Sequence, residues 1–354
     1  MNYLSRRKIV AVPLLLLALC VALLAPRGVT SKRLAPQDKP ATSTSGYRLS
    51  GPYTHKNLTI FLVHGKELMP GKTFLTLQEA LAQKKVIVYE TKDVNELAIR
   101  NLSNQDVYVQ SGDVVRGGEQ DRMISVDFIV PPRSRRMPIA AFCVESDRWN
   151  KRGNESAGTF SASENSIATK DLKLAAKRSN SQSEVWDTVK VAQAKISSNV
   201  NVATVADPKS PSSYELAVNN SVVVDTGNEY INALSGIVRN KPDVIGYVFA
   251  INGHVNSADI YASRPLFVKL WPKLLRASAV EAIAELNQAE ASQQVTDELV
   301  LGFLGDSERA AANTKQVTVR VKLVTREDDK NIFFETQDRT KNDAWVHRNY
   351  IRKQ

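Results

Sequence analysis

The chain has 354 residues, of which 43% are hydrophobic and 24% charged. Those are the proportions of a globular protein and exclude a disordered chain. The formal net charge is +10, but Arg6, Arg7, Lys8, Arg27, Lys32, Arg33 and Lys39 stand against Asp38 alone, a net +6 that leaves +4 for everything after residue 40. That remainder is too small for an electrostatic footprint on nucleic acid.

The first element is an address. Arg6, Arg7 and Lys8 precede an apolar run over residues 9–25, closed by Pro26 and Arg27, which is the basic region and leucine-rich core of a signal peptide. The run sits at the lower limit for crossing a bilayer. Residues 1–31 are therefore expected to be a signal peptide or an N-terminal membrane anchor. The protein is expected to be exported, to the periplasm or cell exterior, with membrane contact only through the N-terminal segment. Cys20 lies within that segment, so Cys143 has no intramolecular disulfide partner. Residues 32–46 carry Pro, Ser, Thr and Lys without apolar periodicity and read as a flexible tether.

A single α+β domain is expected over residues 47–325, followed by a C-terminal strand and tail over 326–354. NLTIFLV (57–63) is a strand. TLQEALAQKK (76–85) opens with Thr76 and Glu79 in capping-box spacing, which predicts a short helix. VIVYET, LAIRNLS, DVYVQSGDVV and ISVDFIVPP follow as strands, the last stopped by its prolines. MPIAAFCVE (137–145) is a strand apolar on both faces. Residues 151–182 and 197–213 read as loop excursions around SQSEVWDTVKVAQAKI, a helix capped by Ser181 with Glu184. NEYINALSGIV is helical. Asn252-Gly253 suits a type I′ turn and makes VIGYVFAI and HVNSADIYA a hairpin. PLFVKLWPKLLRASAVEAIAEL starts with proline, as helices do, and carries Pro272 inside; Trp271, Leu274 and Leu275 are core at helical spacing. QVTVRVKLVT alternates, predicting one strand with Val317, Val319, Val321 and Leu323 inward. The fold class is α+β, an antiparallel sheet-rich N-terminal half packed with a mixed helix and hairpin C-terminal half.

The motifs of familiar chemistry are missing: there is no G-x-S-x-G, no H-E-x-x-H, no paired C-x-x-C and no G-x-G-x-x-G after a strand. GDVVRGG is followed by Glu119-Gln120, where a phosphate loop needs Lys and Ser or Thr. His55, His64, His254 and His347 are scattered, so no metal set is legible, and no cofactor is indicated. What remains is SGDVVRGGEQDR (111–122) and FCVESDRW (142–149), two strand ends close enough in sequence to lie side by side. Gly117 and Gly118 allow close backbone approach. Glu119, Asp121, Arg122, Asp127, Glu145, Asp147 and Arg148 would then converge. Two readings stand: a polar pocket with carboxylates for acid–base work and arginines for an anion, or an Arg–carboxylate lattice that pins two loops. Cys143 has apolar and acidic neighbours, which suits a buried structural thiol better than a nucleophile. Arg133, Arg135 and Arg136 read as a solvated turn.

In this order, GGEQDR, VPPRS, FCVESDRW, SEVWDTV and GYVFAINGHVNSADIYASRPLFVKLWPKLLRA resemble the bacterial ARG (ADP-ribosylglycohydrolase) and rhodanese-phosphatase-superfamily-associated protein domain. The resemblance covers residues 55–280. It implies that Gly117–Arg122 and Cys143–Trp149 correspond to the family's glycine-rich block and its Cys-Val-Glu-x-x-Arg-Trp block. The family name records a neighbourhood with ADP-ribosylglycohydrolases and no activity, and the export segment sets this chain apart from a cytoplasmic ADP-ribose setting. The expected function is binding or hydrolysis of a small anionic, nucleotide-like ligand. Arg122 and Arg148 would hold the anion and Glu119 or Glu145 would act as base, with Gly117, Gly118, Gln120, Asp121 and Trp149 completing the pocket. The alternative is a non-catalytic, envelope-associated structural or interaction module.

Overall fold

The structure, a computed structural model, describes residues 46–179, 181–287 and 294–353. The expected signal or anchor segment, and the expected tether up to residue 45, lie outside the described residues. Among the described residues no helix is long and apolar enough to cross a membrane.

β1 (Arg48–His55) and β2 (Leu58–His64) form an antiparallel hairpin. β3 (Leu75–Thr76) runs into α1 (Leu77–Ala82), whose capping box is complete: Glu79 N–H donates to Thr76 Oγ1 at 3.1 Å and Thr76 N–H to Glu79 Oε2 at 2.9 Å. There follow β4 (Val86–Asp93), β5 (Glu96–Asn101), β6 (Val107–Val109), β7 (Asp113–Gly117), β8 (Arg122–Ile124), β9 (Phe128–Val130), β10 (Met137–Cys143) and β11 (Thr159–Ile167). DVYVQSGDVV is thus two strands. Asp113 N–H donates to Gln110 O at 3.0 Å across Gly112, at φ 90°, and this turn sends β6 and β7 into different sheets. ISVDFIVPP divides in the same way between β8 and β9.

α2 (Lys170–Leu174) runs into a π-helical turn at Ala175–Ser179, and α3 (Gln182–Asn199) starts at Ser181, whose Oγ accepts from Glu184 N–H. α4 (Tyr214–Val218), α5 (Ser221–Leu234), β12 (Val244–Ile251), β13 (His254–Tyr261), α6 (Arg264–Ala284) and α7 (Asp297–Ser307) follow. Asn252 (φ 51°) and Gly253 (φ 82°) make the β12–β13 turn as their left-handed dihedrals require. The chain ends with β14 (Ala312–Gln316), β15 (Val321–Glu327), β16 (Asn331–Asp338) and β17 (Ala344–Arg352).

The strands make an eight-stranded sheet in the order β1-β2-β12-β13-β17-β16-β15-β14, a closed barrel β10-β5-β4-β11-β7-β8, and a small sheet β3-β6-β9. The chain is α+β. Leu97, Ile99, Val115, Ile124 and Ala141 fill the barrel cluster, while Leu62, Tyr247, Tyr261, Phe267 and Leu274 belong to the cluster between the large sheet and α6. The excursion at 151–182 contains β11 and α2, and residues 326–354 supply β16 and β17 inside the large sheet. Ser-rich β11 is held by ladder bonds to β7 and β4, which leave no hydrophobic signature. QVTVRVKLVT is a hairpin turn rather than one strand. Arg320 and Val321 N–H groups donate to Thr318 Oγ1 at 3.2 and 2.9 Å, and Val319 at the tip is 85% exposed. Side-chain capture of the backbone overrides the alternation there.

Candidate functional site

GGEQDR and FCVESDRW do meet. A Cβ on Gly117 would lie 2.8 Å from Thr159 O, and one on Gly118 would lie 2.4 Å from the Phe160 ring. With φ of 125° and 58°, only glycine lets the β7–β8 turn sit against β11. Val144 N–H donates to the main-chain oxygen of Asp121 at 3.0 Å, and Asp121 N–H donates to Glu145 Oε2 at 2.9 Å, so the two blocks are joined by a main-chain bond and by the Glu145 carboxylate.

Both carboxylates are buried. Arg148 clasps Glu145 from Nε at 2.8 Å and Nη2 at 2.7 Å, and its Nη1 donates to Gly118 O at 3.0 Å. Arg152 clasps Asp121 at 3.0 and 3.1 Å and reaches Glu155 at 2.9 Å. Ser210 Oγ donates to Glu145, and Ser213 Oγ to Asp121 at 3.1 Å. Burial and the adjacent Glu145 charge push Asp121 up to about 6, against the pull of Arg152. Burial also opposes ionisation of Glu145, but the bonds from Arg148, Ser210 and the Asp121 N–H offset it and hold that carboxyl below its ordinary range. Two bidentate Arg–carboxylate pairs thus tie three segments together, and both carboxylate side chains have 0% exposure. Arg152, Ser210 and Ser213 are the members that sequence reasoning missed.

The other expected site residues go elsewhere. Arg122 alternates with Met123 and turns toward the barrel interior, donating to Val94 O at 2.8 Å, Asp93 O at 3.0 Å and Glu90 Oε1 at 3.2 Å. It does not join Arg148. Glu119 is half-buried and donates its N–H to Glu90 Oε2 at 3.2 Å. Gln120 Nε2 donates to Ser146 O at 3.4 Å, Trp149 is 50% exposed, and Asp147 is exposed. Burial pushes the Cys143 thiol up to about 11. None of five surface clefts is lined by Glu119, Asp121, Arg122, Glu145 or Arg148.

Asp127 belongs to a second buried centre. His347, on β17, sits between Asp127 Oδ2 (2.8 Å from Nδ1) and Asp259 Oδ1 (3.0 Å from Nε2). Thr336 Oγ1 donates to Asp127 at 2.6 Å, Ser111 N–H at 2.7 Å, and Asn349 Nδ2 to Asp259 at 2.9 Å. Tyr261 stacks on the imidazole at 4.5 Å between centroids. Burial disfavours the imidazolium, yet the two aspartates prevail and raise His347 above its ordinary value. Burial lowers nearby Lys177, on the π-helical turn, to about 8, with Asp127 pulling the other way. Lys177 Nζ lies 4.0 Å over the Phe334 ring and lines a cleft of about 510 Å³ between the barrel and β14–β16. A depressed amine at a cleft is a candidate functional group. Nothing in the sequence joins Asp127 to His347, because the parts of this centre lie up to 220 residues apart.

A family model described as the ARG and Rhodanese-Phosphatase-superfamily-associated Protein domain matches residues 46–351. The chain belongs to that family. The matched span of the ARG and rhodanese-phosphatase-superfamily-associated domain takes in both buried centres, from Asp121 to His347, and the cleft beside Lys177. No curated protein and no solved structure matches the chain.

Proposed function

We propose that the protein is an exported binding protein for a small anionic, nucleotide-sized compound. The ligand enters the cleft between the barrel and β14–β16, and the Asp121–Glu145 lattice is the scaffold of the barrel rim. One observation carries this reading. The cleft of about 510 Å³ has the size of a ligand site and three cations, Lys177, Arg178 and Lys315, on its lining. Glu327 is taken by Arg178 at 3.3 Å and by Lys353 at 2.6 Å, so Lys177 and Lys315 face Glu96 as the remaining lining carboxylate. Phe128 and Phe334 form part of its apolar wall. The burial of both lattice carboxylates favours a second reading, a non-catalytic, envelope-associated structural or interaction module.

A thermal-shift series with ADP-ribose, mononucleotides and inorganic phosphate separates the two. Binding raises the melting temperature with ligand concentration, and the rise is lost in a Lys177→Met/Lys315→Met double variant. No shift with any of them leaves the second reading. Export is tested with a reporter fused after Ser31: it reaches the cell exterior or periplasm, and a cytoplasmic reporter overturns export.

A further inference from the structure

Away from both buried centres, three side chains at the edge of the large sheet form a hydrogen-bonded series. Ser50 lies on edge strand β1, His64 ends β2, and Asp243 immediately precedes β12. Ser50 Oγ is 2.7 Å from His64 Nε2, and His64 Nδ1 is 2.8 Å from Asp243 Oδ1. Strand alternation builds this arrangement. Leu49 turns into the cluster with Phe303 and Leu304, which sends Arg48 and Ser50 to the opposite face. His64 is paired with Arg48 and so stands diagonally across from Ser50, within side-chain reach.

Asp243 is fixed from two further directions. The Arg48 guanidinium pairs with its Oδ2, and Gly65 N–H donates to its main-chain oxygen at 2.9 Å. With Asp243 ionised, Nδ1 carries the imidazole proton, and Nε2 is left as the acceptor of the Ser50 hydroxyl. Ser50 itself is half-buried, hence reachable.

We propose that Ser50, His64 and Asp243 form a hydrolytic triad for carboxylic esters, a second site independent of the Lys177 cleft. The order nucleophile, base, orienting carboxylate is the one acyl transfer requires. Ser50 Oγ bonds to the ester carbonyl carbon as its proton passes to His64 Nε2. The bond from that carbon to the alkoxide then breaks, and the alkoxide leaves with the proton. Water repeats the sequence: its oxygen attacks the acyl carbon, one proton goes to His64, and the Ser50 oxygen leaves and takes it back, releasing the carboxylic acid. The Asp243 side chain is 39% exposed, so solvent weakens the field at the imidazole. That points to esters, with their good leaving groups, and away from amides. Asp243 is a positioning residue: it touches His64 and not the reacting carbon.

The test is reaction of the full chain with an alkyl fluorophosphonate, followed by mass mapping of the adduct, and turnover of p-nitrophenyl acetate. The adduct maps to Ser50. Ser50→Ala abolishes labelling and turnover, and His64→Gln lowers the labelling rate about 100-fold or more, the usual worth of a positioned base. Asp243→Asn slows labelling and Asp243→Glu recovers part of the rate, which a merely structural contact would not produce. An unlabelled Ser50 in the unaltered protein, or an adduct only at other residues, overturns the proposal without recourse to any variant.

Discussion

The two buried charge clusters differ in how they are assembled. The Asp121–Glu145 lattice gathers Arg148 and Arg152 from one short stretch and Ser210 and Ser213 from one loop. Its two carboxylates are each matched by a bidentate guanidinium. The Asp127–His347–Asp259 centre draws on the β8–β9 connection, β17 and β13, segments far apart in sequence, and places two carboxylates on one imidazole. Arginine keeps its charge at every physiological pH, whereas histidine does not. The first arrangement therefore suits a permanent clamp, and the second ties the meeting of barrel and large sheet to protonation.

His347→Gln is the sharpest way to break the comparison, because it removes the cation from two buried aspartates at once. A loss of about 3–5 kcal/mol in urea unfolding is expected, the range for a broken buried pair. The pH dependence carries the sign. His347 is raised above 6.5 in the fold, so its contribution is complete below pH 6.5 and is lost as pH rises through the folded value. Lys177, lowered to about 8 from 10.5, works in the opposite direction above pH 8. Between pH 6.5 and 8 the melting temperature should fall with rising pH, and His347→Gln should flatten that slope. A slope unchanged in the variant would place the titration elsewhere.

Arg152→Gln tests the clamp from its cationic side. It leaves Asp121 beside Glu145 with one guanidinium fewer, and a loss of about 2–4 kcal/mol is expected, just below the full cost of a broken buried pair. A protein of unchanged stability would mean that Arg148 alone neutralises both acids. Cys143→Ser comes next, at about 1–3 kcal/mol for a buried hydroxyl with weak partners, with the ester turnover and ligand shift unchanged. Trp149→Ala should fall within about 0.5 kcal/mol, as exposed substitutions do, and a larger loss in calorimetry would reveal packing that its exposure conceals.

What was legible in the sequence follows the same division. Thr76 with Glu79, Ser181, Pro265 and Asn252-Gly253 act on backbone groups a few residues away, so helix starts and the hairpin were readable. Meeting of GGEQDR with FCVESDRW was readable because the two blocks lie close in sequence, although β9 leaves for the small sheet between them. Which way each side chain turned was not: Arg122 faces the barrel while the adjacent Asp121 lies outside it, and Glu145 turns outside because β10 ends at Cys143, two residues earlier. Thr318 captures two N–H groups and bends a stretch whose alternation reads as a strand. His347, Asp127 and Asp259 meet only once the distant segments are folded together, and Asp243 reaches the hairpin that carries Ser50 and His64 only because β12 pairs with β2.

The most direct test of the central claim, that the two blocks form a buried clamp and not a ligand pocket, is urea unfolding of Glu145→Gln. The change is nearly isosteric and makes no cavity, so a pocket residue would tolerate it, with unfolding free energy within about 0.5 kcal/mol of the original. A clamp residue would not, because Arg148 and Arg152 lose a shared buried counter-charge. A loss of about 3–5 kcal/mol is expected. Undiminished stability would contradict the clamp.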